Sequence, residues 1–325
     1  MTERDSPWSK SGPRKPRPPR EDAPRQHAPR DHAARPQSTR PYAPRDAGPR
    51  DGGDKPHAHR PSRQPSPRDV AVQDHQHARE HREAELRLYG VNAVKAAFHR
   101  RPDALRKLYL IQDRIPQLQP MLRWCVAHRI GYRVVEDDAD LQRLAASTHH
   151  EGVVADFERE QQDTLTHWLQ HLHEGPACLL WLDGVGNPHN IGAILRSAAH
   201  FGVRAILLPK HSTIALSGAA ARVAEGGAEA VPFVRLGRDD NAIAQLRGAG
   251  FQLAATVVRD GTPLFEAKLP PRLVYVLGAE GEGMSTELAA VCDLRVSIPG
   301  SGKVESLNVA AATAVLLAEW ARSNV

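Results

Sequence analysis

A chain of 325 residues is long enough for about two domains with buried cores, which excludes a mini-protein held together by disulfides. Its 43 Lys and Arg exceed its 38 Asp and Glu, and the whole excess lies in residues 1–85, which hold 18 basic and 13 acidic side chains. The same residues hold 15 of the 26 prolines, whereas residues 1–69 contain three large apolar side chains, Met1, Trp8 and Tyr42. Such a segment buries too little surface to fold alone.

Residues 1–84 are therefore predicted to form a disordered tail rich in arginine and proline. The tripeptide Ala-Pro-Arg recurs at 23–25, 28–30 and 43–45, and this composition favours an extended, solvated chain. Two interpretations of the tail stay open. It is either an electrostatic arm for nucleic-acid phosphates or a solubilising linker with no partner.

A small α/β domain is predicted over residues 85–160, with order beginning near Leu86. Apolar spacing predicts helices at 91–98, 118–127 and 138–146 and strands at 108–111, 132–135 and 152–157. The second of these helices is expected to bury one face, made up of Leu118, Met121, Leu122, Cys125 and Val126.

A second, larger domain is predicted over residues 177–325, after a linker at 161–176 that contains a polar, helix-like stretch. Strands are predicted at 178–183, 204–209, 231–236, 252–258, 273–277 and 294–298, with helical stretches between them. This alternation indicates a mostly parallel sheet covered on both faces. The last helix, at 307–321, is apolar on nearly all sides and so needs cover from its own sheet and from a partner subunit.

The cysteines and the apolar stretches indicate a soluble protein of a reducing, cytoplasmic setting. Cys125, Cys178 and Cys292 are far apart and lack C-x-x-C spacing, so neither a disulfide framework nor a zinc ribbon is expected. No apolar core of a signal peptide opens the chain, and the longest apolar stretch, Val309 to Ala318, is too short for a membrane span.

The first segment that carries chemistry runs from a strand end through a glycine-rich turn into a helix, over residues 182–203. Asn190 falls at the predicted helix start, where its side chain could cap free N–H groups and where the helix dipole favours an anion. Arg196 lies further along, with a planar fork suited to a phosphate. Taken singly, Asn190 could be only a cap and Arg196 only a solvated charge.

The second segment, residues 274–284, is a buried strand that ends in three glycines within six residues, Gly278, Gly281 and Gly283. Such a loop lets a backbone approach a flat ligand closely, and Glu280 adds an acceptor for hydroxyl or amino groups. The alternative is an ordinary loop between a strand and a helix.

The third segment, residues 296–309, is a strand, a glycine loop and the start of the final helix. Ser306 could simply be the N-cap of that helix. Asn308 would lie in the first turn of an otherwise apolar helix, where a buried amide needs partners. That need favours a functional site.

Two other classes of site have little support. The histidines of the linker, His167, His171 and His173, have helix-like spacing, but we interpret them as part of a solvated polar segment, and no metal site is expected. A dinucleotide-binding G-x-G-x-x-G would require its third glycine where His189 stands, and no Walker sequence occurs.

Together, and in this order, the three segments resemble the three signature motifs of the SpoU/TrmH family of RNA ribose 2′-O-methyltransferases. The resemblance covers about residues 86–325. Residues 86–158 also resemble the small ribosomal-protein-like domain that precedes the methyltransferase domain in some members and helps to hold RNA. The function implied is S-adenosylmethionine-dependent 2′-O-methylation of a ribose in structured rRNA or tRNA. The alternative is a non-catalytic RNA-binding or ribosome-assembly factor on the same fold.

The resemblance also implies a fold, a cofactor site and a reaction site. The fold is the SPOUT class, an α/β domain whose C-terminal chain forms a trefoil knot that binds S-adenosylmethionine and mediates homodimerisation. Backbone groups of Gly278, Ile298 and Leu307 would hold the cofactor. The reaction site would consist of Asn190, Arg196, Glu280, Ser306 and Asn308. An arginine has too high a pKa for an ordinary general base, so Arg196 is expected to position the target phosphate and ribose.

The sequence departs from the family pattern at two positions. Asn187 stands where many members have Asp, and Glu151 stands where Gln often precedes the Gly-Val-Val strand. Neither position lies among the predicted reaction-site residues. Which RNA and which nucleotide are recognised is not encoded in any short motif, because structured RNA is recognised through shape and splayed bases.

Overall fold

The structure is a computed structural model that describes residues 84–324, with the side chains of residues 239 and 240 left out. The tail predicted for residues 1–84 lies outside this range except for its last residue. The described chain forms two sheets, one of four strands and one of eight.

The four-stranded sheet belongs to the small domain and has the strand order β1-β4-β2-β3. Its strands are β1 (Glu85–Tyr89), β2 (Leu105–Ile111), β3 (Gly131–Val135) and β4 (Val153–Glu158). Its helices are α1 (Val91–Arg100), α2 (Gln119–His128) and α3 (Asp138–Ala145). The three predicted helices and three predicted strands of this domain are thus present, whereas β1 was not predicted.

Two details of the small domain differ from the sequence prediction. β1 alternates buried Leu86 and Leu88 with exposed Arg87 and pairs antiparallel with β4. It was missed because five residues with this alternation are easily taken for the lead into the following helix. Val126, predicted on the buried face of α2, is 66% exposed, because this face buries Met121 and Cys125 and turns Val126 to solvent.

The eight-stranded sheet forms the core of the larger domain, with the order β10-β12-β9-β11-β6-β7-β8-β5 and every pairing parallel. Its strands are β5 (Asp163–Thr164), β6 (Ala177–Asp183), β7 (Ala205–Leu208), β8 (Phe233–Arg235), β9 (Gln252–Thr256), β10 (Thr262–Pro263), β11 (Arg272–Gly278) and β12 (Leu294–Ser297). Its helices are α4 (Leu165–Gln170), α5 (Pro188–His200), α6 (Gly218–Ala224), α7 (Gly227–Ala230), α8 (Asp239–Gly248), α9 (Thr286–Val291) and α10 (Val309–Asn324).

Both faces of the large sheet are covered, as the strand pattern predicts. Leu180 and Leu182 of β6 point into a core shared with α5, α6 and α10, whereas Leu179 and Trp181 point into a core shared with α4, α8 and α9. A strand buried on both faces is a continuous apolar run, and β6 fits this description over Ala177–Leu182.

The last helix is fixed against the sheet by two hydrogen bonds. The hydroxyl of Tyr275 on β11 donates to the Leu316 carbonyl at 3.2 Å, and the Trp320 indole donates to the Pro270 carbonyl at 3.1 Å. Burial raises the pKa of Tyr275, so its hydroxyl stays a donor at physiological pH. The helix begins at Val309, two residues after the predicted start at Leu307.

The small domain packs directly on α6 and α7 of the larger one. A Cβ added to Gly218 on α6 would lie 2.5 Å from the Arg87 carbonyl oxygen of β1, so the two backbones touch. Glu151, one of the two departures from the family pattern, accepts a hydrogen bond from Arg222 of α6 at 2.7 Å and one from the backbone N–H of Val91 at 3.0 Å. Glu151 therefore links the domains, a role that the sequence did not reveal.

Glu229 on α7 is the most buried charge at this junction. Its carboxylate is paired with the Arg101 guanidinium at 2.9 and 3.0 Å and with Arg100 at 3.2 Å, and its side chain is 7% exposed. We expect Glu229→Gln to lower the free energy of unfolding by about 2 kcal/mol, because two arginines lose their common anion. Urea unfolding of the full chain measures this, with the exposed Glu136→Gln as the control. An unchanged midpoint for Glu229→Gln would show that the pair contributes nothing to the junction.

Candidate functional site

The site lies at the carboxyl ends of β6 and β11, which are neighbours in the centre of the large sheet. Asp183 and Gly278, the last residues of these strands, are paired in register. In open α/β sheets, ligands bind beyond the carboxyl ends of the strands. The Asp183 carboxylate accepts a hydrogen bond from the backbone N–H of Ser285 at 2.9 Å, so the loops that follow the two strands are tied to each other.

The loop after β11 closes on itself through glycine. Ala279 and Gly283 exchange two backbone hydrogen bonds of 2.9 Å, and Gly281 and Gly283 have φ angles of +92° and +76°. A Cβ added to Gly278 would lie 2.3 Å from the backbone of Gly283. Gly278 is thus required by the close approach of its own loop. This loop holds Glu280 at the edge of the sheet.

Side chains from the three sequence motifs meet at this edge. The Asn190 amide donates to Glu280 Oε1 at 3.0 Å, and the Asn308 amide donates to the same oxygen at 2.9 Å and to Asn190 Oδ1 at 3.0 Å. We refer to Asn190, Glu280 and Asn308 as the amide–carboxylate cluster. All three residues are exposed or partly exposed, so a ligand at the edge of the sheet can reach them.

The helix caps differ from those predicted. Asn187 is the N-cap of α5, where its side chain accepts from the His189 N–H at 2.9 Å, and this leaves Asn190 free to bind Glu280. Asn187, the second departure from the family pattern, therefore has a structural task. Asn308, and not Ser306, caps α10 by accepting from the Ala310 N–H at 2.9 Å. Asn308 is exposed, so the prediction of a buried amide there was wrong.

Two predicted reaction-site residues lie outside the cluster. Arg196 follows Asn190 by six positions, which places it about 9 Å along α5 and about 120° around it. Its Cα lies close to α7, because a Cβ added to Gly227 would be 3.1 Å away. Its side chain is exposed and makes no hydrogen bond or ion pair within residues 84–324. Ser306 is exposed as well and, in the same range, without a hydrogen-bond partner.

Three backbone positions predicted to hold a cofactor surround this edge. Gly278 ends β11, Ile298 follows β12, and Leu307 precedes α10. In the described part of the chain, no backbone hydrogen bond engages Ile298 or Leu307, and the Leu307 side chain is 48% exposed. The backbone donors and acceptors of Ile298 and Leu307, which no described protein group uses, can bond the edge of an adenine ring, so these two positions suit S-adenosylmethionine.

Residues 84–324 contain neither a metal-binding cluster nor a membrane-spanning helix. Across residues 84–324, no three His, Cys, Asp or Glu side chains converge as a metal site would require. His167 of the linker is hydrogen-bonded to Asp163 at 2.8 Å. No helix in that range is both long and apolar enough to cross a membrane.

Sequence reasoning missed the contacts that hold the cluster in place. The Asn187 cap could have been found locally, because Asn followed by Pro is a common start of a helix. The bond between Asp183 and Ser285 joins residues 102 positions apart, and no local pattern reports such a contact.

Comparison with known proteins agrees with this geometry. The family model described as the SpoU rRNA methylase family matches residues 177–318. A second model, described as RNA 2′-O ribose methyltransferase substrate binding, matches residues 87–162.

Individual relatives extend the agreement over most of the described chain. The chain is 39% identical over 246 residues to YfiF of Escherichia coli O157:H7, named as an uncharacterized tRNA/rRNA methyltransferase. This alignment covers 76% of this chain and 70% of YfiF. It is 36% identical to the 23S rRNA (guanosine-2′-O-)-methyltransferase RlmB of Coxiella burnetii, over 72% of this chain and 94% of RlmB.

A solved structure shows the same fold. It is the AdoMet-bound rRNA methyltransferase from Sinorhizobium meliloti, with a TM-score of 0.62 and 24% identity over 79% of this chain and 96% of that chain. The predicted α/β fold with a mostly parallel sheet is thereby confirmed. The chain belongs to the SpoU rRNA methylase family, and its relatives include enzymes named as 23S rRNA 2′-O-methyltransferases.

Proposed function

We propose that this chain methylates a ribose 2′-hydroxyl in ribosomal RNA and that the amide–carboxylate cluster is the centre of its reaction site. One observation carries the proposal. The side-chain amides of Asn190 and Asn308 both donate hydrogen bonds, of 3.0 and 2.9 Å, to the same Glu280 oxygen at the carboxyl edge of a parallel sheet. Ribosomal RNA is favoured over tRNA because relatives such as RlmB of Coxiella burnetii are named as 23S rRNA methyltransferases.

The chemistry explains why amides and a carboxylate would be needed. A ribose 2′-hydroxyl is a weak acid, so it reacts well only when its proton is drawn off and the reacting atoms are held in line. S-Adenosylmethionine, when bound, supplies the methyl group on its sulfonium. Asn190 and Asn308 would orient the hydroxyl, with Ser306 as a further donor or acceptor. Glu280 would hold both amides in position.

Arg196 has a different task in this proposal. Its guanidinium is exposed and has no partner among the described residues, and its planar fork suits a phosphate. It would hold the phosphate and ribose of the target nucleotide. The small domain, proposed over residues 85–160, would hold RNA outside the reaction site.

Comparison of a deletion strain with its parent tests the proposed substrate. Ribose methylation mapped across rRNA and tRNA should lose one 2′-O-methyl mark in rRNA when the gene is absent. Loss of a mark in tRNA would redirect the proposal to tRNA. Retention of every mark, together with a ribosome-assembly defect, would favour the non-catalytic RNA-binding factor.

We also propose a homodimer that acts in the cytoplasm, where ribosomal RNA is made. Support comes from α10, on which Ala311 and Ala318 stay exposed on a largely apolar helix, and from Val304, which is 71% exposed in the preceding loop. Covering such apolar groups favours association. Sedimentation at micromolar concentration should give twice the mass of the chain. A monomer with intact methyl transfer would contradict the dimer.

A further inference from the structure

A cavity of about 410 Å³ opens on the small domain, between its sheet and α3. Half of its eight lining residues are cationic, namely Arg87, Lys107, Arg133 and Arg143, and the others include Tyr109 and Asp140. None of these residues belongs to the sequence motifs or to the amide–carboxylate cluster.

Strand register explains why charged side chains gather on this face. Arg87 of β1 is opposite Asp156 of β4, and Asp156 is opposite Lys107 of β2, so three charged side chains form one row across the sheet. The neighbouring row contains Tyr109 and, directly opposite it on β3, Arg133. Paired residues on one face of a sheet are close enough to act on one ligand.

The rest of this sheet face is covered. Leu141 of α3 packs on Tyr89, Tyr109, Val135 and Val154. α3 has eight residues, which is too short to cover the charged row as well. α1 and α2 pack on the opposite face. At the two ends of the charged row, Arg87 and Lys107 stay exposed beside an apolar floor, whereas Asp156 between them is buried.

Two of the four cations in the cavity already have acidic partners. Arg87 donates two hydrogen bonds to Asp156, at 2.6 and 2.9 Å, and Arg143 is paired with Asp140. These pairs leave a positive excess in the cavity.

Lys107 and Arg133 make up that excess. Neither has an acidic partner within residues 84–324. The Lys107 ammonium lies 5.1 Å from the centroid of the Tyr109 ring. The neighbouring Tyr109 side chain raises the pKa of Lys107, so this cation stays charged at neutral pH. Two unpaired cations beside one cavity can hold an anion without breaking an existing ion pair.

We infer that Lys107 and Arg133 form a phosphate-binding site for the backbone of the substrate RNA. The inference rests on the proposed function for the choice of RNA as the ligand. The Lys107 ammonium and the planar Arg133 guanidinium lie on adjacent strands, so they can contact the non-bridging oxygens of neighbouring phosphates. The cavity is partly open to solvent, so a polynucleotide chain can reach these two cations. Contacts of this type fix the position of an RNA and carry no sequence information.

Removal of the two charges in the full-length chain tests the site. The double variant Lys107→Gln/Arg133→Gln changes exposed side chains only, so folding should be retained. The matched control is Lys95→Gln/Arg123→Gln, which removes two exposed charges from α1 and α2 on the other side of the sheet. Binding of a 23S rRNA transcript is measured over a range of salt concentrations, and methyl transfer to the same transcript is measured in parallel.

We expect the double variant to bind RNA about tenfold more weakly. The slope of log binding constant against log salt concentration should be less steep by about 1.4, because each phosphate contact contributes about 0.7 to it. KM for RNA should rise with kcat unchanged, and the control should bind like the wild type. Equal affinity and slope in the double variant, or an equal loss in the control, would overturn the inference. Absence of methyl transfer by the wild type would contradict the proposed function alone, because the binding measurement does not depend on it.

Discussion

Replacement of Arg196 by alanine should lower the turnover of methyl transfer by about 10²-fold or more while S-adenosylmethionine binding stays normal. Such a loss corresponds to about 3 kcal/mol of transition-state stabilisation. The expectation rests on an exposed guanidinium that has no partner among the described residues, on the helix that also carries Asn190. The cofactor would be held by backbone groups at Gly278, Ile298 and Leu307, which the substitution leaves intact.

Arg204→Ala is the matched control for Arg196. Arg204 is also exposed, but it precedes β7 at the amino end of the sheet, opposite the edge that carries the cluster. Calorimetry with S-adenosylmethionine and a methyl-transfer assay on RNA measure the two properties separately. Near-normal turnover of a folded Arg196→Ala variant would reduce Arg196 to a surface charge and leave the reaction to the amide–carboxylate cluster.

Replacement of Glu280 by alanine should also lower turnover by about 10²-fold, because its Oε1 is the oxygen on which both amides converge. Without the carboxylate, the two amides are joined only by their mutual hydrogen bond of 3.0 Å, while Asn308 keeps its cap on α10. Glu280→Gln retains one acceptor oxygen, so its turnover should fall only about tenfold. KM for RNA should change little in either variant, because the loss concerns orientation in the transition state.

The chain offers a close control for Glu280. Glu282 is an exposed carboxylate of the same loop, with no hydrogen bond or ion pair within residues 84–324. Glu282→Ala should therefore turn over like the wild type. Equal losses of turnover for Glu280→Ala and Glu282→Ala would indicate that turnover depends on the negative charge of the loop and not on the hydrogen bonds from Glu280 to the amides.

The elements of the fold could largely be predicted from apolar periodicity, because burial on one or two faces leaves a local pattern. β6 is a continuous apolar run and was predicted within one residue of its observed start. β1 was missed, since its alternation spans five residues. Helix starts were less certain. Several polar residues near a helix start can each serve as a cap, and tertiary contacts decide which of them does.

Asn190 illustrates how tertiary contacts decide the role of a site residue. Its place near the start of a helix predicted a cap, but Asn187 takes that task and Asn190 binds Glu280, 90 positions away. Sequence spacing contains no information about such a contact. Only the resemblance to a family brought Asn190, Glu280 and Asn308 into one predicted site. The charged row on the small domain depends on the register of three strands, which no motif encodes.

The two domains are joined by contacts that the sequence patterns of neither domain predict. Glu151 bonds both the start of α1 and Arg222 of α6. α6 in turn packs tightly on α5, where a Cβ added to Gly192 would lie 2.5 Å from the Ala220 carbonyl oxygen. The small domain therefore rests, through α6, on the helix that carries Asn190 and Arg196. In the proposed function, an RNA held on the small domain would be positioned relative to the reaction site through packed backbone and not through a flexible linker.

Methyl transfer in vitro is the most direct test of the central claim that this chain methylates ribose in ribosomal RNA through the amide–carboxylate cluster. The purified full-length chain is incubated with S-adenosylmethionine labelled in its methyl group and with rRNA that lacks the modification. The RNA is then digested to nucleosides. Wild-type protein should place the label in a single 2′-O-methylnucleoside, and Glu280→Ala should place about a hundredth as much there in the same time. Label on a base, or equal label from the wild type and Glu280→Ala, would contradict the claim.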